Sequence, residues 1–288
     1  MILSIGLPVY NGARTLARAI DSLLDQNLRE IEVVVSDNGS IDSTPDICRR
    51  YRDRIRYLRS DVNRGPTWNF NRVRETASRT PYFMWAGDDD RWSPSYASSC
   101  IEFLEAHPAV ALCGTWAEFV DLDGRSTGEV DRGCSAVGST PAGRGAAYLR
   151  SVDRNSVFYG VWRTSMLAPW RLENRVANDQ ILALEVSLAH PIHTIPQVLF
   201  WRQVGGTSAS VASIARVLGI KMRWPPPFSR AEIFEGLFEA IDRSPQVTPA
   251  ERLRLKREAL VSAGRRYWSR LRSPRFLAAK LSRDLSGR

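Results

Sequence analysis

The sequence has little of what several common classes of protein are built from. Its four cysteines, Cys48, Cys100, Cys113 and Cys134, stand far apart with no CxxC pair. Neither a disulfide framework nor a structural zinc site is therefore expected, and a reducing compartment, the cytoplasm, fits best. Of the three histidines, His190 and His193 flank Pro191 in a spacing that matches no metal pattern, and they read as helix-end and strand residues. Long uninterrupted apolar runs are missing. The longest candidate, Ile181 to Trp201, carries Glu185, His190, Pro191, His193 and Pro196, which a lipid-facing helix of about 20 residues would not hold, so no membrane span is expected. The N-terminal MILSIGLPVYNG lacks a basic flank and a long apolar core, and reads as a first strand, not a signal peptide. There is no GxGxxG and no GxxxxGK[ST], so no glycine-rich phosphate cradle. Internal repeats and low-complexity tracts are also missing.

What is present is a globular composition. The chain has 288 residues, 43% of them hydrophobic, enough for one large domain or for one domain with an appendage. The net charge of +9 belongs to the C-terminus: residues 251–288 carry 12 Lys/Arg against Glu251, Glu258 and Asp284, and the first 250 residues balance 28 basic against 28 acidic side chains.

Along the chain, apolar runs alternate with amphipathic stretches. Ile2–Val9 reads as a buried parallel strand and ends in the turn Pro8-Val9-Tyr10-Asn11-Gly12. Leu16, Ile20, Leu23 and Leu24 recur at helical spacing, giving a helix to about Gln26. A second strand, Ile31–Ser36, runs into Asp37-Asn38-Gly39-Ser40. Thr44-Pro45 opens a helix through Arg50, Ile55–Arg59 is a third strand, Trp68–Ala77 a helix and Tyr82–Ala86 a fourth strand. Strands alternating with helices imply a parallel, helix-flanked sheet with right-handed crossovers. Its carboxyl edge would then gather Tyr10-Asn11, Asp37-Asn38, Asn63-Arg64-Gly65 and Asp88-Asp89-Asp90, and such edges are where open α/β sheets bind ligands.

The three consecutive carboxylates close the fourth strand. Like charges this close repel unless water or a cation separates them, so they are either a solvated turn or a site for a hard cation. Their place at a strand's end favours the cation. Mg²⁺ or Mn²⁺ takes one or two carboxylates together with phosphate oxygens and water, which would hold a diphosphate through metal.

The order PVYNG, VVVSDNGSIDST, NRG followed by NFN, and an acidic cluster followed by RWSP resembles the family-2 glycosyltransferases. These are inverting enzymes of the GT-A fold that use nucleotide-diphosphate sugars. The likeness is strong over Ile2–Ala106 and weaker to about Ser208. It implies that Pro8, Tyr10 and Asn11 line a base pocket, that Asp37 takes a hydrogen bond from the nucleobase, and that Asn63, Gly65, Asn69 and Asn71 lie near the ribose and the sugar. The family's common form of the acidic motif is Asp-Ser-Asp-Asp-x-Trp-x-Pro. Anchoring on Trp92 and Pro94 puts Gly87 at the first Asp and Asp89 at the metal ligand, whereas Asp88-x-Asp90 matches the plain DxD spacing. The resemblance assigns Asp89 and Asp90 to the metal, with Asp89 favoured, and Asp88 to the donor side.

Beyond Ala106 fewer signals are legible. Ala109–Val120 is apolar enough for a fifth and a sixth strand, and the Gly-, Ser- and Asp-rich Asp121–Pro141 reads as a loop. Asp179, before Ile181, Leu182 and Leu184, is either a capping carboxylate or, by the resemblance, the general base that takes the proton from an acceptor hydroxyl. Phe200–Ser208 resembles the family segment Tyr-Arg-x-His-Gly-Gly, with Val204 in place of the histidine; Arg202 is either a diphosphate contact or a surface arginine.

The expected organisation is a GT-A type α/β domain over residues 1–222, with a nucleotide-sugar half at 1–106 and an acceptor half at 107–222. A basic helical tail follows at 223–288. The tail's helices around Ile233, Leu237 and Ile241, around Leu253 to Leu271, and around Phe276 to Leu281 either cap the domain or lie on a membrane surface at the inner face through 251–288. No nucleic acid is expected. The acceptor would be a glycan or a lipid-linked glycan. Two alternatives stay open: a nucleotide-sugar-binding protein without catalysis, and a nucleotidyltransferase on a similar sheet, for which PVYNGAR supplies only Arg14.

Overall fold

The computed structural model describes residues 1–138, 140–152, 154–204, 211–224 and 230–271, with side chains through Arg265. The first half is the alternation expected from the apolar runs. Strand β1 (Leu3–Val9) leads into α1 (Leu16–Leu24), β2 (Ile31–Asp37), α2 (Thr44–Arg50), β3 (Arg56–Arg59), α3 (Pro66–Thr76), β4 (Tyr82–Trp85), the short β5 (Arg91–Trp92) and α4 (Tyr96–Ala106). Every residue of β1 is buried, as a strand covered on both faces requires. Leu16, Ala19, Ile20 and Leu23 form the buried stripe of α1.

The second half contains β6 (Leu112–Val120), β7 (Ser126–Asp131), α5 (Pro141–Ser151), a 3-10 turn at Ser156–Tyr159, β8 (Val161–Arg163), α6 (Thr164–Leu167), α7 (Asn178–Ala189), β9 (Ile192–Gln203) and α8 (Val211–Val217), followed by α9 (Ala231–Arg243) and α10 (Pro249–Leu271). All the strands join one sheet in the order β3-β2-β1-β4-β8-β6-β9-β5, with β7 paired to β6. Strands β3, β2, β1 and β4 are mutually parallel. Strand β8 runs antiparallel to both β4 and β6 and so joins the two halves.

Two expectations are corrected here. Ala109–Val120 forms one strand, β6, because its parallel register with β9 runs from Leu112 opposite Ile192 to Val120 opposite Gln203. The Asp121–Pro141 stretch is not all loop. Within it, β7 pairs antiparallel with β6, Ala117 opposite Asp131 and Val120 opposite Ser126. Its side chains are mostly exposed, so the apolar alternation that would announce a strand is missing.

Helices α9 and α10 share the main core. Leu237, Ala240, Ile241, Leu255 and Ala259 are buried in one cluster with Tyr148, Leu149, Ile181 and Leu188 of α5 and α7. Among the described residues, no helix is long and apolar enough to cross a membrane. The tail segment around Phe276, Leu277 and Leu281 lies outside the described residues.

Candidate active site

The carboxyl edge of the parallel strands is assembled by turn residues that hydrogen-bond one another across the sheet. After β1 the chain turns at Asn11, which holds φ +55°, a left-handed conformation that Asn tolerates better than most residues. The amides of Asn11, Gly12 and Ala13 then donate to Ser40 Oγ (2.9 Å), Thr44 Oγ1 (2.9 Å) and Asp42 Oδ2 (3.0 Å). In return, Asn11 Oδ1 accepts from the Ile41 amide at 3.0 Å. Asn38 extends the stitching to the next loop: its Nδ2 donates to Asn63 Oδ1 (2.8 Å) and to the Gly65 carbonyl (3.1 Å), and its Oδ1 accepts from the Arg64 amide (3.0 Å). Backbone groups that would be orphaned at the strand ends are thereby paired.

Asp37 is buried, with Oδ1 accepting from the Ser40 amide (2.8 Å) and Oδ2 from the Tyr57 hydroxyl (2.7 Å). Pro8 lies buried within β1, whereas Tyr10 is 43% exposed at the edge. Asn63 is exposed and Gly65 half-buried in the loop bonded to Asn38. Asn69 and Asn71 are not brought to this open edge. Both are buried; Asn69 bonds Ser36 Oγ, the Ser36 carbonyl and the Val9 carbonyl, and Asn71 exchanges two hydrogen bonds with the backbone of Leu172. They tie α3 to the sheet and to the second half of the chain.

The acidic turn sits against the β1 turn. A Cβ at Gly12 would lie 2.4 Å from Asp88 Oδ2 and 2.5 Å from a Val9 methyl, so only glycine lets the two turns approach this closely. A Cβ at Gly87, an Asp in the common form of the motif, would lie 2.7 Å from Asp90 Oδ2, so a side chain here would require the Asp90 carboxylate to move. The three carboxylates diverge in use. Asp90 is buried and its Oδ1 accepts from the Gln203 amide at 3.0 Å. Asp88 and Asp89 are half-buried and receive no hydrogen bond from another described residue. Burial and then the charge of Asp89 push the Asp88 carboxyl up to about 8. Burial raises Asp89 and Asp90 as well, against the pull of Arg202 and Arg18.

Among the described residues no three His, Cys, Asp or Glu side chains converge as a ready-made metal cage. Two unpartnered, mutually repelling carboxylates at a strand end still fit a hard cation that takes most of its ligands from phosphate and water. Asp88 and Asp89 are the oxygen donors without a hydrogen bond among the described residues, and Asp90 is partly committed to Gln203.

Beside this turn lies a cavity of about 510 Å³ lined by Thr67 and Phe70 of α3, Phe158 and Tyr159, Asp179 of α7, and Arg202 of β9, with Ile214, Val217 and Ile233 on its far wall. Asp179 stands in the first turn of α7, yet its side chain makes no capping bond; the residue before the helix is Ala177, in a left-handed conformation. The capping reading is thereby corrected: Asp179 Oδ2 accepts from Asn155 Nδ2 at 2.9 Å. Arg202 is half-buried and donates to the Arg154 carbonyl (2.8 Å) and Ser156 Oγ (3.2 Å), with its guanidinium 5.0 Å from the Tyr159 ring centre. Burial opposes its charge, but Tyr159 and the carboxylates of Asp90, Asp179 and Asp131 outweigh this and raise its pKa. Arg202 is thus held by hydrogen bonds and a ring at the end of β9, partly open to solvent.

Asn155 was not legible in the sequence. It is buried, holds φ +55°, and accepts from the Tyr148 hydroxyl at 3.0 Å. Asp131, at the end of β7, fixes the adjacent Ser156 amide at 3.0 Å. The indole of Trp85 stacks on Phe158 at 4.8 Å and so seats the same turn on β4. An isolated Asn in a segment without periodicity carries no local signal; only the tendency of Asn toward left-handed turns hints at it. Gly205, Gly206, Thr207 and Ser208 of the Tyr-Arg-x-His-Gly-Gly-like segment lie outside the described residues. His190 ends α7 and His193 lies in β9, as read.

Residues 4–133 match the family model described as Glycosyl transferase family 2. The succinoglycan biosynthesis protein ExoO of Rhizobium meliloti is 36% identical over 118 residues, 41% of this chain and 33% of that protein. The chain spans between 14% and 41% of the length of the curated relatives it matches. The fold of TarS from S. aureus, solved in complex with UDP-GlcNAc, superposes with a TM-score of 0.66 at 16% identity, over 91% of this chain and 72% of that one. A mannosyltransferase from Pyrobaculum calidifontis, solved with GDP-Man and Mn²⁺, superposes with a TM-score of 0.53 at 15% identity, over 93% of this chain and 87% of that one. The mixed sheet flanked by helices is thus a GT-A-like fold, and its residues 4–133 are similar to glycosyl transferase family 2.

Proposed function

We propose that the protein transfers a sugar, with inversion, from a nucleotide-diphosphate donor to a hydroxyl of a glycan or lipid-linked glycan in the assembly of a bacterial cell-surface polysaccharide, and that it uses Mg²⁺ or Mn²⁺. The observation that carries this reading is the cavity shared by the Asp179 carboxylate and the Arg202 guanidinium, on a strand whose next residue, Gln203, is bonded to Asp90 of the acidic turn. The names of the similar proteins support the substrate class: a polysaccharide biosynthesis protein, and solved neighbours holding UDP-GlcNAc or GDP-Man.

The chemistry follows from which oxygens are free. Asn155 occupies Oδ2 of Asp179, and Oδ1 receives no hydrogen bond from the described residues. That oxygen takes the proton of the acceptor hydroxyl as the hydroxyl oxygen bonds the anomeric carbon and the bond from that carbon to the diphosphate breaks. A positioned base of this kind contributes roughly 10²–10⁴-fold. Arg202, kept charged by its acidic neighbours, supplies positive potential beside the departing diphosphate. A cation held by Asp88 and Asp89, with Asp90, would neutralise the diphosphate as it leaves. On the donor side, Tyr10, Asn11, Asn63 and Gly65 lie at the open edge for the base and ribose, and Asp37 behind them orders the turn.

The test is Asp179→Asn assayed for transfer and, separately, for nucleotide binding. Transfer should fall by roughly 10²–10⁴-fold while nucleotide affinity stays within about twofold. Undiminished turnover removes Asp179 from the reaction. Nucleotide-sugar binding without turnover by the unmutated protein across donor and acceptor panels would identify a binding protein instead.

A further inference from the structure

Helix α10 is buried along one face and exposed along another, and the exposed face has a composition of its own. Leu255, Ala259 and Ser262 are buried, Leu255 and Ala259 within the core cluster shared with α5. On the opposite side, Leu253, Arg254, Arg257, Leu260, Val261 and Arg265 are all exposed. Their spacing of three, four and seven residues places them on one continuous stripe. Leu253 is 72% and Leu260 52% exposed, a large apolar surface for a helix already anchored by its other side. No acidic residue interrupts this stripe, and among the described residues none of its three arginines takes part in an ion pair. Of the acids of the helix, Glu258 pairs with Arg150, and Glu251 caps the helix start through Thr248 while also lying within the field of Arg254.

We infer that this face of α10 binds the surface of an anionic lipid bilayer, with Leu253, Leu260 and Val261 entering the headgroup boundary and Arg254, Arg257 and Arg265 meeting lipid phosphates. Both halves of the stripe are used by this occupant. Arginine stems lie along apolar surface while the guanidinium reaches phosphate, and interfacial helices combine such a basic rim with buried leucines. Other occupants leave one half idle or in conflict. A second copy packed by twofold symmetry would set the three arginines against their own images. A nucleic acid backbone would engage the arginines and leave the leucines in water. The core-facing residues show that bilayer contact and packing on the domain do not compete, because they use different faces of one helix. This inference is independent of the transfer reaction and of the assignment of Asp179.

Sedimentation of the full-length protein with vesicles of phosphatidylcholine, and with equimolar phosphatidylcholine and phosphatidylglycerol, tests it. Binding should require phosphatidylglycerol and weaken with salt. Each arginine removed should lower the partition coefficient about fivefold, so the double variant Arg254→Gln/Arg257→Gln should lose on the order of 25-fold. Leu260→Ser should weaken binding at unchanged charge. All these positions are exposed, and thermal unfolding should show the variants folded as the parent. Failure of the folded parent to bind anionic vesicles overturns the inference. So does binding that the variants leave unchanged, which would place the contact outside this face. Concentration-dependent dimerisation abolished by the same variants would overturn it in favour of a second copy.

Discussion

The side-chain amide of Asn155 donates to Oδ2 of Asp179 at 2.9 Å, and the carbonyl oxygen of that amide accepts from the Tyr148 hydroxyl at 3.0 Å. The relay leaves Oδ1 as the Asp179 oxygen without a hydrogen bond among the described residues, and the proposed transfer would use that oxygen. A hydrogen bond to a charged group contributes about 1.5–3 kcal/mol, so Asn155→Ala should lower kcat by roughly 10- to 100-fold, with a much smaller change in donor KM. Tyr148→Phe should produce a weaker form of the same defect. Steady-state kinetics of both variants check this, and an unchanged kcat in Asn155→Ala would show that the bond does not orient the base.

Asp89, which the resemblance places at the metal and which takes no hydrogen bond among the described residues, raises Asp88 and Asp90 by its own charge. Asp89→Asn should therefore raise the melting temperature of the metal-free protein, since it removes a repelling charge. The same substitution should abolish the Mn²⁺-dependent part of nucleotide stabilisation. In the parent, a nucleotide at 100 times its dissociation constant should add about 2.7 kcal/mol. Thermal melts with UDP and GDP, with and without Mn²⁺, read both effects.

Glu32 provides a pH signature away from the site. Burial tends to raise its pKa, but hydrogen bonds from the Ser78 amide (2.8 Å) and the Ser4 hydroxyl (3.0 Å), and the charge of Arg56, outweigh it and leave the carboxyl below its ordinary value. The folded state then binds fewer protons than the unfolded chain. Its contribution is present above about pH 4.5 and is lost as pH falls through the lowered folded value. Glu32→Gln should be less stable than the parent at pH 7, and the two should converge in acid. Urea midpoints at pH 7 and at pH 3 measure the difference.

The two faces of α10 make a stability prediction of their own. Leu255 is 2% exposed in the core and Leu253 is 72% exposed. Leu255→Ala should cost about 2–4 kcal/mol, and Leu253→Ala should stay within about 0.5 kcal/mol of the parent. Denaturant unfolding of the two variants checks the contrast directly.

The sequence by itself determined the parallel half of the sheet. The strands Leu3–Val9, Ile31–Asp37 and Tyr82–Trp85 are largely buried and carry short apolar runs, and the turns that follow them gather at the carboxyl edge. Such signals are local: a strand's burial and a turn's dihedral angles are written in a few neighbouring residues. What the tertiary structure decided is everything that depends on long-range pairing. The polar strand Ser126–Asp131 has no apolar alternation of its own and exists through β6. Asp90 finds Gln203 113 residues away, and Asn155 is set against Asp179 by the stacking of Phe158 on Trp85 and by the hold of Asp131 on Ser156. The basic, amphipathic character of α10 was legible from its residues, but which leucines face the core and which face outward was settled only by where α5 and α9 pack. Composition specifies how much apolar surface a helix carries, and the neighbours that the fold brings to it specify which part is covered.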